Sequence, residues 1–74
     1  MTHELPNGWT EASKDGIATN ADPDLGGIID SNIVSGEWFV IFNSDHIADI
    51  DGLPSKAAAL VAHAAAIRET YVLA

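Results

Sequence analysis

A chain of 74 residues has room for one domain, and at that size only about 60% of the surface exposed by the unfolded chain is buried. Eleven acids against three bases leave a net charge of −8, which excludes direct binding to nucleic acid or to an anionic membrane. The absence of cysteine excludes disulfides and thiolate zinc sites, and a 47% apolar content excludes an acidic disordered tail.

Residues 1–8 read as an arm, punctuated by Pro6 and Asn7-Gly8. No signal peptide is expected, because this stretch has neither a basic region nor an apolar run. Trp9 to Lys14 has strand character, Asp15-Gly16 is a preferred two-residue hairpin turn, and Ile17 to Asn20 reads as the return strand. Ala21 to Gly27 is a loop, since Pro23 cannot sit in a central strand. Ile28 to Val34 is the next strand, Ser35-Gly36 the turn, and Glu37 to Phe42 the strongest strand, rich in aromatic and β-branched residues. Asn43 onward is an acidic loop carrying Asp45, Asp49 and Asp51. Ser55 is a good N-cap for the alanine-rich run that follows, and Leu60, Ala64, Ile67 and Tyr71 fall on one helical face. The apolar stretch 57–67, interrupted by His63, is too short to span a bilayer.

The pattern predicts an α+β fold in a single domain, 1–74. A small antiparallel sheet of about four strands in two hairpins, over 9–43, follows the arm. An acidic loop at 44–54 then leads to one C-terminal helix, 55–72, packed on one face of the sheet. A two-residue turn at Ser35-Gly36 sets the expected register: Ile33 opposite Trp38, Ser31 opposite Val40 and Ile29 opposite Phe42, all on the face that receives the helix. The other face pairs Asn32 with Phe39 and Asp30 with Ile41, and carries Glu37. It is either covered by the arm, with Leu5 or Trp9 lying across it, or it is an interface. Ala59, Ala62 and Ala66 are expected on the outer side of the helix.

Charge is uneven along the chain. Residues 1–54 carry ten acids and Lys14; residues 55–74 carry Lys56, Arg68 and Glu69 and are nearly neutral. No metal site is expected. Asp49-Ile50-Asp51-Gly52 lacks the flanking acids of an EF-hand, where Ile47 and Ala58 stand instead. His3, His46 and His63 share no helical zinc spacing, and His63 reads as a partly buried structural histidine. No catalytic residues, cofactor or phosphate loop are expected, and one helix on one sheet leaves little room for a pocket of about 300 Å³. The acids do suit mimicry of nucleic acid. Duplex DNA carries one charge per roughly 1.7 Å, so eight net charges match about four base pairs.

The run Gly36-Glu37-Trp38-Phe39-Val40-Ile41-Phe42, then Ile50 to Pro54, then the Ser55-Lys56-Ala57-Ala58-Ala59 helix start, resembles many small acidic proteins encoded by phages and mobile elements. Among these the chain is similar in size and charge to the anti-CRISPR proteins. The resemblance is one of class, without a diagnostic motif. It implies an inhibitor in the host bacterial cytoplasm that blocks a nucleic-acid-binding surface of a Cas subunit with an acidic, DNA-mimicking surface. The partner-binding residues expected on that reading are Asp22, Asp24, Asp30, Glu37, Phe39, Ile41, Asp45, Asp49 and Asp51. The alternative is a small phage or accessory structural protein that self-associates, as a homodimer, through its mixed sheet face.

Overall fold

The structure is a computed structural model and describes residue 5 and residues 8–11 and 17–71. The expected turn at Asp15-Gly16 lies outside these residues. Five antiparallel strands, β1 (Thr10–Glu11), β2 (Ala18–Asn20), β3 (Gly27–Ser31), β4 (Trp38–Phe42) and β5 (Ile50–Leu53), form one sheet in chain order, and α1 (Lys56–Thr70) closes the chain. The fold is α+β, as the sequence pattern implies, with one strand more than expected.

That extra strand is β5, inside what reads as the loop 44–54. Ile50 pairs with Val40 and Leu53 with Trp38, with a register shift between them. Four residues with one β-branched member and an internal Asp51-Gly52 carry little strand signal. Pairing with β4 supplies what local propensity lacks.

The β3–β4 register also differs from expectation. Ser31 pairs with Trp38, Ile29 with Val40 and Gly27 with Phe42, a slide of two residues relative to a Ser35-Gly36 turn. The cause lies in the turn. Two-residue hairpin turns need positive φ either at both central positions or at a leading glycine, and Ser35-Gly36 has its glycine second. Among the described residues no non-glycine takes positive φ, whereas Gly36 does, at +77°. The connection therefore widens to Ile33–Gly36: the Asn32 N–H donates to the Glu37 carbonyl, and Gly36 N–H donates to the Asn32 carbonyl. The Asn32 side chain accepts from Val34 and Ser35 N–H at 2.8 and 3.3 Å. Ile33 and Val34, expected in the strand, stand at the hairpin tip, 97% and 92% exposed. A slide of two preserves which side chains share a face. Ile29, Val40 and Phe42 are accordingly buried on the helix side, with Trp38 partly buried beside them.

Gly27 pairs with Phe42, and a Cβ there would lie 2.1 Å from the Ile41 carbonyl oxygen. The β2–β3 and β4–β5 loops meet at the same end of the sheet. Asn43 joins them, donating from its backbone to the Gly26 carbonyl and from its side chain to the Asp22 and Asn20 carbonyls.

Ser55 caps α1 as expected, its hydroxyl accepting from Ala58 N–H at 3.1 Å. The side of the helix that meets the sheet is rotated from the expected one. Ala59 and His63 are buried, Leu60, Ala66 and Ile67 pack half-buried against the core, Tyr71 is half-buried and Ala64 is exposed. Alanines thus face inward, which lets the helix lie close to the strands. The larger residues are displaced to its flank. Lys56 forms an ion pair with Glu11, tying the start of the helix to β1.

Candidate binding surface

Cross-strand pairing assembles the face opposite the helix, which no other element among the described residues covers. Thr10, Thr19, Ile28 and Ile41 form one row across β1 to β4, and Asp30 and Phe39 form a second. The Thr10 and Thr19 hydroxyls lie 3.4 Å apart. Ile28 and Ile41 are each 40% exposed, and Phe39 is half-buried. Leu5 and Trp9, the residues expected to lie across this face, are at the core instead. Leu5 packs against the core cluster and Trp9 is a member of it, with its indole edge-on to His63 at 4.8 Å on the helix side. Burying the indole against the core removes more apolar surface from water than laying it on an open face.

The nine expected binding residues divide into two groups. Asp30, Phe39 and Ile41 come together on the uncovered face, with Glu37 exposed at the entry to β4 and Asp51 exposed on β5. Asp22, Asp24, Asp45 and Asp49 lie in the two loops at the end of the sheet.

Several of these acids also have a structural role. The Asp22 carboxylate accepts from Asp24 and Leu25 N–H at 2.8 and 2.7 Å, holding the β2–β3 turn. Asp49 accepts from the Phe42 N–H at 3.4 Å, before β5 takes over the pairing. The Asp30 carboxylate accepts from Ser31 N–H at 2.6 Å. Ile28 belongs to the surface and was not anticipated. Its signal is its place one residue before Ile29, which alternation sends to the opposite face.

A second feature contradicts the expectation of little room. A groove of about 430 Å³ runs between the flank of the helix (Leu60, Ala64, Ile67, Arg68, Tyr71), the Gly8-Trp9 segment and the β2–β3 loop. His63 lies at the inner wall. Its Nε2 is 2.7 Å from the Leu25 carbonyl oxygen, so that nitrogen carries the proton. The ring stacks on Phe42 at 5.4 Å. Burial pushes its pKa below the ordinary 6.5, partly offset by the bond to Leu25. The expected structural role fits these contacts. Tyr71, at the mouth, shares a 2.8 Å hydrogen bond with Ser44.

Among the described residues no group of three histidine or acidic side chains is placed to hold a metal ion, and no helix is long and apolar enough to cross a membrane. Comparison with protein-family models, with curated proteins and with solved structures returns no match.

Proposed function

We propose that the chain is a non-catalytic binding module that docks its uncovered sheet face on a basic, nucleic-acid-binding surface of another protein, as an inhibitor of the anti-CRISPR type. The supporting observation is the apolar patch of Ile28, Phe39 and Ile41 lying beside Asp30 on a chain of net charge −8. Long-range attraction between the acids and a basic channel speeds encounter, while Phe39 and Ile41, once desolvated, supply most of the affinity. The loop acids Asp22, Asp24, Asp45 and Asp49 extend the negative field past the end of the sheet. In a bacterial cytoplasm such a module would act stoichiometrically.

The test is retention of purified CRISPR interference complexes on the immobilised protein at low and high salt. Retention at low salt should fall at least about tenfold in Phe39→Ala and in the double variant Asp30→Lys/Glu37→Lys. Circular dichroism should show both variants folded. No retention, or equal retention by folded variants, would overturn the reading. The exposed Ile28–Ile41 row also favours a second reading, face-to-face pairing of two copies. Light scattering of the purified chain would then give a dimer that Ile41→Lys converts to monomer.

A further inference from the structure

We propose that the groove flanking the helix is a binding site for a small apolar molecule with an anionic end, such as a medium-chain carboxylate. The groove is distinct from the uncovered sheet face, since the helix and Trp9 lie on the opposite side of the sheet. Its volume of about 430 Å³ falls within the range of small-molecule sites. The helix meets the sheet through alanines and His63, so the large apolar side chains beside that contact are left incompletely covered. Leu60, Ile67 and Tyr71 are half-buried, and Leu25 across the groove is 42% exposed. In a chain this small, leaving four large side chains wet forgoes hydrophobic stabilisation that an apolar ligand would recover.

The anionic end follows from charge. The chain has only three basic residues. Lys56 is engaged with Glu11, whereas Arg68 lines the groove. Among the described residues Arg68 makes no ion pair. Asp22 also lines the groove, but one of its carboxylate oxygens already accepts two turn N–H groups. An anion approaching a chain of net charge −8 therefore finds its best partner at the Arg68 guanidinium. The alkyl portion would then lie along Leu60 and Ile67 toward Trp9. No bond is made or broken.

Octanoate and octanol are suitable probes, titrated into the full chain while the Trp9 indole and His63 imidazole resonances are followed. Octanoate should shift both resonances and saturate in the millimolar range or below. Arg68→Gln, an exposed position, should weaken octanoate about tenfold and leave octanol unchanged. Ala64→Phe, also exposed, should block both ligands by filling the groove. The proposal is overturned if octanoate moves neither resonance, or if Arg68→Gln weakens both ligands equally. It is likewise overturned if the same shifts arise on concentrating the protein alone, which would give the groove to a second copy. Each of these outcomes leaves the reading of the sheet face untouched.

Discussion

His63 holds three parts of the molecule at one point: it donates to Leu25 in the β2–β3 loop, stacks on Phe42 of β4 and meets the edge of Trp9. Desolvation lowers its pKa in the folded chain, so the unfolded chain binds the proton more readily. The stability held by neutral His63 is complete above about pH 6.5 and declines as pH falls from there through the lower folded value, by at most about 1.4 kcal/mol per pH unit. Urea unfolding between pH 7 and 5 measures this. His63→Gln, which keeps an N–H for the Leu25 carbonyl, should lose the extra slope that the parent shows across that interval. Equal slopes in parent and variant would mean that other groups set the acid sensitivity.

At the scale of elements, the inward-facing alanines are the decisive feature. Ala59 is completely buried between α1 and the sheet. Ala59→Leu should overpack that contact and cost about 2 kcal/mol, lowering Tm by roughly 10 °C. Ala57→Leu, at an exposed position two residues earlier, should change stability by no more than about 0.5 kcal/mol. Differential scanning calorimetry of the pair distinguishes this packing from one in which Ala59 faces solvent. The same alanines explain why the helix's orientation was not legible in the sequence. Its start at Ser55 was, because capping is local chemistry. Alanine suits every face, so the pattern of Leu60, Ala64, Ile67 and Tyr71 points to a core side that Ala59 and His63 occupy instead.

The strands show a similar division. Trp38 to Phe42 announced itself by composition, and alternation alone assigned Phe39, Ile41 and Asp30 to the uncovered face despite a wrong register. The turn width depended on Asn32 Oδ1 reaching two backbone N–H groups, and β5 depended on a partner strand. The groove emerged only from the rotation of the helix, which no local pattern encoded.

Across the whole molecule, charge dominates. With net charge −8 and, among the described residues, the one ion pair Lys56–Glu11, repulsion outweighs attraction in the folded state. Raising salt from about 0.01 to 0.15 M shortens the screening length from roughly 30 to 8 Å and should raise Tm by about 3–6 °C. Calorimetry across that range checks it; a Tm that fell with salt would mean that attractive pairs prevail. The same salt that steadies the free domain would weaken its hold on a basic partner. Stability and capture should therefore move in opposite directions as ionic strength changes.

The sheet order has a further consequence during synthesis. Each strand pairs with the one made just before it, so β1 to β5 can zip together as the chain leaves the ribosome. Ala59 and His63, which seal Ile29, Val40 and Phe42 from water, emerge only afterwards. Until α1 arrives, the nascent sheet has apolar side chains exposed on both faces. A released chain truncated before residue 56 would therefore present a sheet with apolar side chains exposed on both faces. The helix then covers one of the two faces and leaves the Ile28–Ile41 row as the apolar surface of the finished sheet.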